Sequence, residues 1–372
     1  MKNNNLNSII FGTIFGLLAG AAGALSINLN SVSDLSNLNF NREVNLSDYG
    51  YLSPNLVIRD PKKVVVNQDV KVDETIRDIQ SSLLGVFVRS DKNLDYYELN
   101  QPYAQAITAT SDGWVMALWP EEMAITVLNK ATSTYVVIDS QRNIYDIDQV
   151  LVGSDDMSNL VFFHLYDASS LVVKRLLPEG EIKLGQSLIL ATTDQGYILD
   201  SLAEKKSAGY YLNSDQYEQS IALAYNQEES SAMVFNLSGE ILGLLDREGN
   251  WLLSPTIDAY WRALLRDNVL QRASFGLNYL DLSLVISNDK QLPNKGALIA
   301  AKTGVPAIAE DGAAEQAGLQ VGDIITRFNG VEINKDNNLS RLLLTYNPGD
   351  TVVIDYLRDG VSMEVEVMLG SI

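Results

Sequence analysis

The sequence holds one histidine, His164, and no cysteine. Thiol nucleophiles, Cys-ligated zinc, iron–sulfur clusters and disulfide frameworks are therefore excluded together. A His-rich metal site is impossible, and any nucleophile that needs an imidazole base has only His164 to use. His164 lies in NLVFFHLYD, where Leu160, Phe162, His164 and Tyr166 share one face of a strand and Val161, Phe163 and Leu165 the other. That setting reads as a half-exposed strand residue before it reads as a base. Lys205 and Lys206 have the chemistry for a Ser–Lys arrangement, yet their surroundings read as a solvated loop. Nothing clusters at ligand spacing, so neither a metal nor a cofactor is expected.

The elements that position these residues follow from composition and pattern. With 372 residues, and roughly 150 residues per domain, the chain predicts two or three domains. Apolar residues make up 46% and charged residues 20%, enough to build packed cores. Forty-seven acidic residues against 27 basic ones give a formal charge of -20, which repels nucleic-acid phosphates and anionic lipid alike.

Residues 9–27, IIFGTIFGLLAGAAGALSI, form an uncharged run long enough to cross a bilayer as a helix. Lys2 would keep residues 1–8 in the cytoplasm and export the rest. The alternative is a cleaved signal peptide, since Ala22-Gly23-Ala24 supplies small residues after an apolar stretch. Residues 28–72 are predicted as an Asn/Ser-rich spacer without helical or strand periodicity.

From residue 73 to 255 short apolar runs alternate with turn residues. Ser111-Asp112-Gly113 divides AQAITATSDGWVMALW into a hairpin, and NLVFFHLYDA, QSLILATTD, GYILDSL and SAMVFNLSGEILGLLD repeat the arrangement. Many short strands at regular spacing imply an all-β sandwich or a pair of barrels. Residues 256–272 are predicted as a connecting helix, with Pro255 in its first turn and Asn268 at its end. In residues 273–372, Leu280, Leu282, Leu284 and Ile286 alternate as a half-buried strand, and Val321 to Phe328 enters a turn at Asn329-Gly330. Asn338 caps a helix carrying Leu339, Leu342, Leu343 and Tyr346 on one face, and a hairpin about Asp359-Gly360 closes the unit.

The order of these pieces resembles the HtrA/Deg trypsin-like serine proteases. SDGWVMAL looks like the hairpin that carries the family's His, VLVGSDDMSNLVFFHL like the strand that carries its Asp, and ESSAMVFNLSGEILGLL like the segment that carries its Ser. The resemblance implies a mainly β fold: a trypsin-like double six-stranded β-barrel with the active-site cleft between the barrels, followed by an α+β PDZ domain. Matched residue by residue, the His position falls at or near Pro120 and the Asp position at Asn159, while Ser230 stands at the nucleophile position within Glu228-Glu229-Ser230-Ser231-Ala232-Met233. A proline cannot accept a proton, an asparagine orients an imidazole poorly, and two carboxylates beside an oxyanion hole oppose the charge it must hold. The expectation is therefore a pseudoprotease, not an enzyme; the alternative is an active serine endopeptidase using Ser230.

EDGAAEQAGLQVGDIITRFNGVEI and PGDTVVIDYLRDG are similar to the PDZ domain of the same family in residue type and spacing. The resemblance implies that Ser274-Phe275-Gly276-Leu277 is the carboxylate-binding loop, with Gly276 allowing its curl, and that the next strand accepts a peptide as an added strand. Leu339, Leu342, Leu343 and Tyr346 would offer an apolar wall to the ligand's last side chain, although Leu342 and Leu343 read equally well as core. The partners implied are exported or unfolded polypeptides and protein C-termini, with the membrane reached through the N-terminal helix and no nucleic acid. A homo-oligomer, assembly with an active relative, or a purely structural envelope role stay open. The expected location is the cell envelope, as a chaperone, adaptor or regulator in protein quality control.

Overall fold

The computed structural model describes residues 68–90, 96–119, 125–153, 160–193, 196–207, 209–217, 219–225, 231–286, 292–301 and 304–372. The expected membrane span at 9–27 and most of the expected spacer lie outside these residues. A helix, Gln68–Gln80, starts inside the stretch read as spacer, with Thr75 and Ile79 buried. Among the described residues, no helix is long and apolar enough to cross a membrane.

Six antiparallel strands, β1 (Leu83–Val88), β2 (Ala104–Thr108), β3 (Trp114–Leu118), β4 (Tyr135–Asp139), β5 (Ile144–Val152) and β6 (Leu160–Leu165), close into a barrel in the order β1-β2-β3-β6-β5-β4. A second antiparallel sheet runs β10-β8-β7-β11-β12-β13, built from β7 (Ser187–Thr192), β8 (Gly196–Ser207), β10 (Gln219–Leu223), β11 (Ala232–Asn236), β12 (Ile241–Leu245) and β13 (Trp251–Leu253). The short β9 (Tyr211–Asn213), lying between β8 and β10 in sequence, leaves this sheet for another.

Local chemistry closes the hairpins. Asp139 Oδ1 accepts from the N–H groups of Gln141 and Asn143 between β4 and β5. Asn236 does the same for Ser238 and Glu240 between β11 and β12, and Asp246 for Glu248 and Asn250 between β12 and β13. An Asp or Asn carboxyl or amide oxygen that captures two backbone donors replaces the missing ladder partners of a tight turn. At the β2–β3 turn, Gly113 has φ +125°, and a Cβ there would meet the Leu165 carbonyl oxygen at 2.8 Å.

Several strands bury both faces. On β3 and β6, Val115, Ala117, Val161, Phe163 and Leu165 fill the barrel, while Met116, Leu160 and Phe162 face a second core shared with Ile189, Ala191, Met233 and Phe235 of the other sheet. On β7 and β11 the alternate residues Leu188, Leu190 and Val234 turn to a third core. Strands buried on both faces read as continuous apolar runs, which is why alternation is weak here. The helix Ser254–Asp267 adds Ile257, Tyr260 and Leu264 to the shared core. Its ends are as expected, with Pro in the first turn and Asn268 in the left-handed conformation at φ 56°.

The C-terminal unit contains β14 (Ala273–Ser274), β15 (Asn278–Asp281), β16 (Ala297–Ile299), β17 (Ile324–Phe328), β18 (Val331–Glu332), β19 (Thr351–Arg358), β20 (Val361–Met368) and β21 (Gly370–Ser371). Its main sheet runs β20-β19-β17-β16-β15-β9, with β18 paired to β17, while β14 and β21 pair separately. Two expectations are corrected. The strand read through Ile286 ends at Asp281, whose carboxylate accepts from the backbone N–H and the hydroxyl of Ser283 and turns the chain into a 3-10 segment, so Leu284 and Ile286 are exposed. The helix capped by Asn338 stops at Leu343, so Tyr346 sits in the turn after it.

Candidate functional site

The residues matched to the family's catalytic positions, Pro120, Asn159 and Ser230, all lie outside the described residues. The edge of the cleft they would serve is described. Gln105 and Leu118 of the first barrel face Thr193, Ser231, Ala232 and Met233 of the second sheet across a small cleft, and Ser231 follows Ser230 directly. None of these six side chains titrates near neutrality. The Gln105 Oε1 atom is buried with no hydrogen-bond partner among the described residues.

His164 is elsewhere. It pairs with Trp114 across β3 and β6, whereas Leu118, at the cleft, pairs with Leu160. Four residues along a strand span about 13 Å, so the imidazole stands at the far end of both strands from the cleft wall. Its Nδ1 lies 2.7 Å from Asp148 Oδ1, and its ring meets Trp114 edge-on at 5.1 Å. The half-exposed strand position expected for it is what the geometry gives.

The second site is the groove of the C-terminal unit. Ser274, Phe275, Gly276 and Leu277 curl between β14 and β15, and Gly276 takes φ +79°. The side chains of Phe275 and Leu277 are buried in the unit's core, where Phe275 meets Phe328 edge-on at 5.8 Å, so it is the backbone of this loop that faces outward. Its N–H groups converge on one carboxylate. Asp215 Oδ1 accepts from Phe275 N at 2.8 Å and Gly276 N at 3.1 Å, and Oδ2 accepts from Gly276 N at 3.1 Å and from the Ser274 hydroxyl at 2.5 Å. Leu277 N donates to the Ser214 hydroxyl at 3.0 Å, and Ser214 donates in turn to Asp215.

The strand before Asp215 is β9, antiparallel to β15 with Asn213 opposite Asn278, Leu212 opposite Tyr279 and Tyr211 opposite Leu280. The ladder extends at both ends, through Ser214 N to Leu277 O and Asp281 N to Tyr210 O, each 2.8 Å. Leu212 is buried within the same core as Phe275, Leu339 and Leu343. The helix Leu339–Leu343 flanks the groove: the Ser340 hydroxyl donates to Asn213 O at 2.8 Å and stands 3.0 Å from the Tyr279 hydroxyl. Burial pushes the Tyr279 phenol up from its ordinary value.

Of the four residues expected to wall the groove, Leu339 and Leu343 are core, while Leu342 and Tyr346 are half-buried against it. The Tyr346 hydroxyl accepts from Asn329 Nδ2 at 3.0 Å and its ring packs on Phe328. Sequence reasoning missed Asp215, Ser214 and Ser340. The only available signal was the polar Asn213-Ser214-Asp215 run, which reads as an ordinary turn.

A PDZ-domain family profile matches residues 284–369. A probable periplasmic serine endoprotease, DegP-like, from Ectopseudomonas mendocina (strain ymp) is 28% identical over 261 residues, covering 65% of this chain and 54% of that protein. The periplasmic pH-dependent serine endoprotease DegQ of Escherichia coli (strain K12) is 24% identical over 265 residues, covering 66% of this chain and 55% of that protein. The chain thus spans about half the length of the curated relatives it matches. A solved structure of the HtrA-type protease AlgW with a tripeptide aligns over 81% of this chain and 97% of that one, with a TM-score of 0.51 and 14% identity, a likeness of fold.

The relatives overturn one expectation. They are serine endoproteases by name, so the sequence-based inference of an inactive homologue is corrected toward a protease. That inference rested on counting along strands into loops to reach Pro120 and Asn159. Neither residue is among those the structure describes, so the structure tests neither position.

Proposed function

We propose, from the chain's similarity to DegP-like periplasmic serine endoproteases and its match to a PDZ-domain family, that it is an exported serine endopeptidase that engages polypeptides through its PDZ groove and cleaves them at the cleft between its β units. Ser230 is the proposed nucleophile. The observation that carries the reading is the position of Ser231, which lines the cleft just before β11 and follows Ser230 directly in sequence.

His164 is not the base in this reading, because its place on β6, opposite Trp114 of β3, keeps it from the cleft wall. Because His164 is the chain's one histidine, the base for Ser230 in this reading is a residue of another type. We place the enzyme in the cell envelope, held to the membrane by residues 9–27, where it would act in protein quality control.

The test is digestion of unfolded casein by the full chain at neutral pH, beside Ser230→Ala and Ser231→Ala forms. Cleavage by the parent that Ser230→Ala alone abolishes supports the reading. Equal rates in the parent and the Ser230→Ala form, or no cleavage by a folded parent, would overturn it.

A further inference from the structure

We propose that the PDZ groove holds an internal ligand, the segment Tyr210–Asp215 of the same chain, in which the Asp215 side-chain carboxylate stands in for a C-terminal carboxylate. This rests on the groove being the peptide-binding site described above, and it adds what occupies that site and what an incoming peptide must displace.

Three independent features of a strand-adding peptide coincide on this segment. Its direction is right: β9 runs antiparallel to β15, so the chain advances from Tyr211 toward the loop and delivers Asp215 where a terminal carboxylate would arrive. Its backbone ladder is continuous from Tyr210 to Ser214. Its acid is fully engaged, with two backbone N–H groups and two hydroxyls on its two oxygens. Hydrogen bonds to an ionised acceptor are the stronger class, and here they converge from a preformed curl.

The side chains follow the same logic. Leu212 and Ser214, two apart on the strand, are both buried, while Tyr211 and Asn213 are half-buried on the other face. Leu212 fills the core between loop and helix, and Ser340 ties the Asn213 carbonyl to that helix. Arg272 Nη1 donates to the Asp215 carbonyl at 3.2 Å and steadies the end of the segment. A ligand of this groove is therefore an extended strand with an apolar side chain at the Leu212 position, a small hydroxyl residue at the Ser214 position and a carboxylate beyond it. A peptide ending in a Ser214-like residue with a free carboxyl group meets the same donors. Such a peptide binds only the fraction of molecules whose groove is open, so its apparent affinity is reduced by that fraction.

The sequence offers a direct lock. Asn213 and Asn278 face each other at a non-hydrogen-bonded pair, the close pair of an antiparallel ladder, and the chain has no cysteine of its own. In the full chain carrying both Asn213→Cys and Asn278→Cys, oxidation should pin the segment in the groove. The probe is a fluorescein-labelled Gly-Gly-Tyr-Leu-Asn-Ser peptide with a free C-terminus, with its C-terminal amide as control, read by anisotropy. Hydrogen exchange at the Phe275, Gly276 and Leu277 amides is read in parallel without the probe.

The expected results are slow exchange at the three amides in the parent, no probe binding by the oxidised double variant, binding restored by reduction, and at least tenfold tighter binding by Asp215→Asn than by the parent. Fast exchange at Gly276 and Leu277 in the parent overturns the proposal whatever the probe does. So does an oxidised lock that binds the probe as well as the parent, or a Kd that Asp215→Asn leaves unchanged. Slow exchange with no probe binding in any form, the reduced and Asp215→Asn forms included, keeps the internal ligand and removes instead the reading of the groove as a receptor for outside peptides.

Discussion

The Arg341 guanidinium, on the helix that flanks the groove, meets the Glu179 carboxylate of the second β unit at 2.6 Å. Arg341 also donates to the Asp336 carbonyl, and burial together with the Glu179 charge pushes the nearby Tyr217 phenol up from its ordinary value. The pair is partly open to solvent, so its worth is that of a surface ion pair, about 0.2–1 kcal/mol. Arg341→Ala should lower the unfolding free energy taken from urea melts by no more than that range. It should also speed hydrogen exchange along the helix Leu339–Leu343. A loss of several kcal/mol would mean the pair holds the two units together.

Gly276→Ala should be costly out of proportion to its size. At φ +79° a side chain is strained, and the new Cβ would meet the Ala309 Cβ at 3.2 Å. Left-handed backbone costs a non-glycine residue roughly 1–2 kcal/mol. The strain also re-aims the Phe275 and Gly276 N–H groups, so urea denaturation should register the loss and the protection of those amides should fall. Unchanged protection would place the donors under control of the neighbouring strands instead.

Phe162 sits in the core shared by the two β units and is fully buried. Phe162→Ala should remove about 3–5 kcal/mol of stability, whereas Tyr166→Ala, just past the end of the same strand and exposed, should stay within about 0.5 kcal/mol. Equal costs in denaturant melts would contradict the shared core.

His164→Ala should leave casein cleavage within about twofold of the parent, since four strand residues, some 13 Å, separate its level from the cleft wall. A hundredfold loss of kcat with the fold intact would make it the base after all.

The phenols of Tyr279 and Tyr217 are both raised by burial. Below the unfolded tyrosine value, about pH 10, both states are protonated and stability does not depend on these groups. Above it the unfolded chain releases protons that the folded chain keeps, so stability falls as pH rises. Urea melts between pH 8 and pH 11 should show that decline begin near pH 10, with a smaller slope for Tyr279→Phe. A slope unaffected by the substitution would assign the decline to other groups.

What the sequence made legible was local. Asn338 as a cap, Asn268 as a helix end, Gly276 at a curl and the Asp359-Gly360 turn each declare themselves within four residues, and each is where it was expected. The failures needed distant information. Leu284 and Ile286 continue an apolar alternation that Asp281 ends with its own side chain. The two-faced burial of β3, β6, β7 and β11 hides the alternation by which strands are usually assigned to a barrel face. Tyr211–Asn213 is three residues long and pairs with residues more than sixty positions away, so no local pattern reports it. Asp215 as the groove's carboxylate follows from that pairing and was invisible with it.

The same pairing sets an order of events during synthesis. Residues 83–253, which supply both β units, leave the ribosome before β15 exists, and chains fold from the N-terminus as they emerge. For the time taken to make the sixty residues between Asp215 and Phe275, Leu212 has no core to enter and the Asp215 carboxylate has no donors. The nascent chain therefore presents an apolar, strand-forming hook ahead of its own receptor, and a neighbouring finished copy, if its groove were open, offers the nearest place for that hook to land.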